Sequence, residues 1–268
     1  MVSLPDTEQL LLVADNGWLT IWLNRPESRN ALSEQMSAEL RSTLEAVHDE
    51  RSVRGITLRG RDGVFCAGGD LKAFRADFQA GSAGIEAVAA ASRKAGELFD
   101  LVYNMPQIVV ILVEGAAIAG GLGLACAGDV VVVTGDARFS LTETTLGIPP
   151  AQIAPFVVHR LGTAAARRIM LTAARFDGQE AGNMGLADYV VDDAEELQRV
   201  EQQIRTAVMR CAPGANAATK EILRVCGELD RQSLIDFASR SFAECLLSDE
   251  GREGISAFIE KRRPGWPE

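Results

Sequence analysis

Histidine is the scarcest reactive residue in this chain: 268 residues contain two, His48 and His159. A metal site built on imidazole has little to work with, and no Cys-x-x-Cys pair takes its place. The five cysteines (Cys66, Cys126, Cys211, Cys226, Cys245) are odd in number and scattered, which fits a reduced, cytoplasmic setting and excludes a disulfide framework. No G-x-S-x-G elbow occurs, no Gly-Lys-Ser/Thr closes a P-loop, and Gly121 and Gly123 are followed by Cys126 where a dinucleotide fingerprint needs a third glycine. Nicotinamide, flavin and metal are therefore not expected as cofactors. The apolar runs "IVVILV" and "GAAIAGGLGLACAG" are too short to span a bilayer, and "MVSLPDTEQL" lacks the basic-then-apolar pattern of a signal peptide. Basic residues are outnumbered 27 to 37, and the net charge of −10 argues against nucleic acid or an anionic membrane as the main partner.

What is present is an ordinary globular composition, 47% hydrophobic and 24% charged, in a chain long enough to bury a substantial core. Gln9–Ala14 and Trp18–Leu23 flank Asp15-Asn16-Gly17, which predicts a hairpin. "NRPESRNAL" reads as a polar loop. Ser33 then caps a helix with Met36, Leu40, Leu44 and Val47 on one face. "VRGITLRG" reads as a strand, 85–104 as a helix, and "IVVILVEG", "DVVVVTG" and "ARFSL" as further strands. This alternation predicts an α/β fold with much parallel pairing. From about Asp192 the pattern becomes helical, with Pro213-Gly214 breaking the first helix from the second. The expected organisation is an α/β core over 1–192 and a helical segment over 193–268.

Two stretches place glycines between a probable strand and a probable helix: "FCAGGDLKAF" (65–74) and "EGAAIAGGLGLACAGD" (114–129). Glycine lets a ligand approach backbone amides, and a helix start leaves amides unpaired with partial positive charge. Such a junction can hold an oxygen that becomes anionic. It can equally be an ordinary turn, with Asp70 as N-cap. Downstream, Glu143 stands alone in the mostly uncharged "RFSLTETTLGIPPAQIAPFVV". An isolated carboxyl in apolar surroundings has a raised pKa and suits proton transfer near neutrality, although a solvated loop acid has the same sequence.

Five segments in order, "LNRPESRNAL", "FCAGGDLKAF", "VEGAAIAGGLGLACAGD", "ARFSLTETTLGIPP" and "EGISAFIEKRRP", resemble the enoyl-CoA hydratase/isomerase (crotonase) superfamily over nearly the whole chain. The resemblance implies a spiral of ββα units followed by a C-terminal helical segment, assembled as a trimer or hexamer. It implies that two backbone amides, at Gly69 and Gly120, receive the thioester oxygen of an acyl-coenzyme A. It implies Glu143 as the catalytic carboxylate. Arg25, Arg29, Ala31, Ala67, Asp70, Leu71 and Lys72 would line the coenzyme channel. Phe258 and Lys261 would reach the nucleotide phosphates, often from a neighbouring subunit. Coenzyme A is then part of the substrate, and no separate cofactor is implied.

Hydratases of the family commonly use two glutamates, and the first of these positions holds Gly123 here. Glu143 would then act alone, or a group on the substrate would share the work. "GGLGL" and the A-Q-I-A-P segment resemble the methylglutaconyl-CoA and isohexenylglutaconyl-CoA hydratases of leucine and acyclic terpene catabolism. The small-residue wall would suit a long branched acyl tail, and Arg75, His159 or Arg160 would meet a substrate carboxylate. The alternative within the family is an isomerase using the single Glu143. Outside catalysis stand an RNA-binding member, against which the negative charge argues, and an inactive scaffold.

Overall fold

Asn16 and Gly17 both adopt positive φ, 47° and 75°, the geometry of a two-residue turn whose twist matches its strands. They join β1 (Leu10–Asp15) to β2 (Trp18–Leu23) as an antiparallel pair. In this computed structural model, which describes residues 3–70 and 84–266, α1 (Glu34–Val47) follows. Ser33 Oγ accepts the Met36 amide at 3.0 Å, a cap of about 1 kcal/mol, and Met36, Leu40, Leu44 and Val47 are buried as their spacing requires. β3 (Gly55–Gly60), α2 (Ile85–Asn104) and β4 (Ile108–Val113) come next. Then follow β5 (Ala116–Ile118), α3 (Gly120–Ala127), β6 (Val130–Thr134) and β7 (Arg138–Ser140). α4 (Ala154–Thr172), β8 (Arg175–Asp177), α5 (Gly178–Asn183) and β9 (Tyr189–Val191) complete the region before the last helices.

Six strands form one sheet in the order β1-β2-β3-β4-β6-β9, parallel except for the first pair. Its inner strands are near-continuous apolar runs because helices cover both faces. β5, β7 and β8 make a smaller sheet beside it. This is the mixed α/β spiral expected.

One local expectation changes. Residues 65–70 are not a regular strand: they make isolated parallel bridges, Cys66 to Ala117 and Leu32 to Gly69, because Gly68 turns the chain at φ 92°. The helix expected after Asp70 lies outside the described residues, as do Leu71, Lys72 and Arg75. The break expected at Pro213-Gly214 is present: one helix ends at Val208 and Pro213 opens the next, at a first-turn position where its missing N–H is no loss.

The C-terminal segment comprises α6 (Ala194–Val208), α7 (Pro213–Val225), α8 (Arg231–Leu247) and α9 (Asp249–Ile259). α6 is amphipathic and lays Leu197 and Val200 on the sheet against Trp18, Val110, Leu112, Val132 and Val191. α7 is tied to the sheet by Lys220, whose ammonium donates to Asp129 Oδ2 at 2.6 Å and to the Gln107 carbonyl at 2.9 Å. α8, by contrast, buries no side chain and leaves Phe242 and Leu247 each 67% exposed.

Candidate active site

The two glycine stretches meet in space. Cys66 donates its amide to the Ala116 carbonyl, and Ile118 donates its own to the Cys66 carbonyl, each at 2.9 Å. At Gly68 a β-carbon would lie 2.8 Å from the Ile118 carbonyl and 2.9 Å from Ala119 Cβ, so any side chain would hold the loops apart. Gly121 is equally constrained, since a β-carbon there would fall 2.4 Å from the Cys66 carbonyl oxygen.

This contact orients two amides. Leu32 donates to the Gly68 carbonyl at 2.8 Å and accepts from the Asp70 amide at 3.0 Å. Those bonds flank Gly69 and leave its own N–H pointing away from Leu32. Gly120 is the first residue of α3, so its N–H has no acceptor within the helix. Ala119 before it holds φ 49° and ψ −118°, a backbone conformation that costs a non-glycine residue about 1–3 kcal/mol and that clusters at functional sites. Gly69 and Gly120 both line a cleft of about 680 Å³.

Glu143 lines the same cleft, at the start of a short 3₁₀ turn, Glu143–Leu146, closed by Gly147 in the left-handed conformation. Its carboxyl is half-buried, and Oε2 is sealed from solvent with no hydrogen-bond partner among the described residues. Burial pushes its pKa up from the ordinary 4.5, only partly offset by a backbone hydrogen bond. Apolar walls come from Leu98 of α2 and from Leu146 and Ile148, while Arg41 of α1 and Lys94 of α2 are the cleft's cations among the described residues. Arg41 donates to the Lys94 carbonyl at 3.0 Å and lies 3.4 Å from Glu97, and Lys94 pairs with Glu34 at 2.9 Å.

Gly123 does not border the cleft. A β-carbon on it would sit 2.3 Å from Ile153 Cγ2 and 3.3 Å from Phe99 Cε1, both in the core. The space beside Gly123, one position of the expected small-residue wall, is thus filled by the protein itself.

The remaining expected residues divide. Ala67 and Asp70 line the cleft. Arg25 turns its guanidinium to the Ala31 carbonyl (2.9 Å) and to Asp70 (3.3 Å), while Arg29 is exposed beside them at φ 52°. Phe258 is 85% exposed and Lys261 is exposed on the far C-terminal segment, and neither borders the cleft. His159 and Arg160 belong to a separate cavity of about 870 Å³ bordered by α2, α4 and α7. There His159 is hydrogen-bonded to Tyr103, and Arg160 is committed to Asp188 and the Gly128 and Leu186 carbonyls. They do not meet a ligand in the cleft. Sequence reading missed Arg41 and Lys94, which come from two helices and share no motif.

The fold is that of an α/β enzyme of the crotonase type. The enoyl-CoA hydratase/isomerase family profile matches residues 14–268, and the chain belongs to that family. Among solved structures, AtuE of Pseudomonas aeruginosa is similar with 50% identity and a TM-score of 0.92, over 96% of this chain and 98% of that one. An enoyl-CoA hydratase/isomerase from Marinobacter aquaeolei shows 39% identity and a TM-score of 0.93, over 97% and 99%. Carnitinyl-CoA dehydratase of Proteus mirabilis is 34% identical over 97% of this chain and 98% of its own.

Proposed function

We propose that this protein adds water across the α,β double bond of a glutaconyl-type enoyl-CoA thioester. The observation that carries the reading is the convergence on one cleft of two backbone amides with no acceptor among the described residues and a single desolvated carboxyl. The thioester oxygen accepts hydrogen bonds from the Gly69 and Gly120 amides. Water attacks Cβ, the π electrons move through Cα onto that oxygen, and Glu143 takes the water's proton. The enolate then collapses and Glu143 returns the proton to Cα, leaving a hydroxyl on Cβ and the carboxylate as it began. Each amide donor would contribute about 3–4 kcal/mol to the transition state. Proton transfer by Glu143 would contribute at least about a hundredfold.

The acidic acyl class rests on the A-Q-I-A-P resemblance and on Arg41 and Lys94, cations that line the cleft and would exchange their exposed partners Glu97 and Glu34 for a distal carboxylate. Of the residues expected along the coenzyme channel, Arg29, Ala31, Ala67, Asp70, Leu71 and Lys72 would carry the coenzyme, while Arg25 is spent on the Ala31 carbonyl and Asp70. Phe258 and Lys261 would reach it from a neighbouring subunit of a homotrimer or hexamer. The open faces of α8 and α9, with Ile235, Phe242, Leu247 and Ile259 exposed, support such an assembly.

A second reading, double-bond isomerisation by Glu143 alone, is favoured by the closure of position 123 behind Ile153. Kinetics on methylglutaconyl-, isohexenylglutaconyl- and crotonyl-CoA separate the two. Hydration removes the enone absorbance and forms a 3-hydroxyacyl product, whereas isomerisation leaves the formula unchanged. Turnover of crotonyl-CoA as efficient as that of both glutaconyl substrates would remove the acidic acyl class.

A further inference from the structure

Gly68 and Gly69 carry no side chains, so the direction of the Gly69 amide is set by whatever holds the loop around them. That holder is the segment 25–32. The Arg29 carbonyl accepts the Ala67 amide at 3.0 Å, and Leu32 grips the loop through its bonds to Gly68 and Asp70. Within the segment one polar side chain is fully buried: Asn30, 0% exposed and at φ 54°, a conformation asparagine tolerates. Its Nδ2 donates to the Arg61 carbonyl at 3.0 Å and the Val64 carbonyl at 2.6 Å, and its Oδ1 accepts the Arg25 amide at 2.8 Å. Arg25 then spans the gap by donating to the Ala31 carbonyl and to Asp70, the residue after Gly69.

We propose that Asn30 and Arg25 are positioning residues for the Gly69 amide. Asn30 pins the holding segment to the 61–64 turn, and Arg25 clamps the far end of the glycine loop. Neither touches the reacting atoms. Removing either lets the amide drift from the thioester oxygen, and a misplacement of about 1 Å costs about a hundredfold in rate. The inference rests on the reading of Gly69 as an oxyanion donor.

Three variants test it. Asn30→Asp keeps the shape and the acceptor for Arg25 but turns a carboxylate toward two carbonyls. Arg25→Gln breaks the clamp at a half-buried site, and Arg25→Lys keeps its charge. The readouts are kcat and KM on crotonyl-CoA, affinity for butyryl-CoA, and the absorption of bound dimethylaminocinnamoyl-CoA, which shifts to the red as its thioester carbonyl is polarised. The expected result is a wild-type red shift that is largely lost in Asn30→Asp and Arg25→Gln. With it, kcat falls about a hundredfold and about tenfold respectively, butyryl-CoA affinity stays within about twofold, and Arg25→Lys recovers part of both signals. If Asn30→Asp fails to fold, Arg25→Gln against Arg25→Lys decides. A full red shift and unchanged kcat in folded variants would overturn the positioning role while leaving the oxyanion reading intact, as would butyryl-CoA affinity falling in step with kcat. A wild-type complex with no red shift would overturn the oxyanion reading itself.

Discussion

One part of the cleft is made of backbone and another of a single side chain. The Gly69 and Gly120 amides are held where residues 25–32, 66–70 and 116–121 interlock through main-chain hydrogen bonds and contacts too close for a β-carbon. Glu143 stands at the head of one short turn whose following residues, 144–149, are exposed. The first arrangement presents only main-chain donors, needs no side chain at its glycines and is sensitive to adding volume. The second is insensitive to shape and sensitive to charge. The same cleft therefore has two kinds of fragility, and substitutions can be chosen to touch one at a time.

The largest effect should come from volume at the glycine contact. Gly121→Val places carbon against the Cys66 carbonyl and pushes α3 away from the 66–69 loop. Displacing one oxyanion donor costs about a hundred- to a thousandfold. We expect kcat to fall by that factor while the circular dichroism spectrum stays native. A native kcat would show that the contact does not set the amide. Next is Gly123→Glu, which overpacks against Ile153 and Phe99, buries an unpaired carboxyl between them and should cost at least about 3 kcal/mol in urea unfolding. It should give no gain in turnover, because the new carboxyl has no path to the cleft. A faster enzyme would mean that position 123 does open into the site.

Much of this was legible in the residues, for identifiable reasons. The hairpin at Asn16-Gly17 and the Ser33 cap are local, fixed by a few neighbours in sequence. The parallel strands show as apolar runs because both faces are covered. Glu143 stood out because burial of a lone acid is visible as an uncharged neighbourhood. The occupant of the space beside Gly123 was not legible, since Ile153 reaches it from thirty residues downstream. α4 went unread because Gly162, at φ 73°, interrupts its periodicity. Arg41 and Lys94 meet only once α1 and α2 pack side by side.

The smallest effect concerns charge at Glu143 in the folded state. Burial raises its pKa above the unfolded value, so between the ordinary 4.5 and the folded value the native protein binds more protons than the unfolded chain. The stability this group contributes is full below that window and is lost as pH rises through it. Glu143→Gln removes the titration. Its melting temperature relative to wild type should therefore climb as pH rises above the ordinary 4.5. A constant difference across that range would mean that the carboxyl is not desolvated.

The central claim is that one carboxylate moves the proton while backbone holds the thioester. Glu143→Gln preserves shape and leaves both amides in place, so its kcat for hydration of the best enoyl-CoA, measured beside its affinity for a saturated acyl-CoA, tests that claim most directly. The account predicts a fall in kcat of at least about a hundredfold with affinity nearly unchanged. Near-native hydration by Glu143→Gln would contradict it and would hand the proton to another residue or to the substrate's own carboxylate.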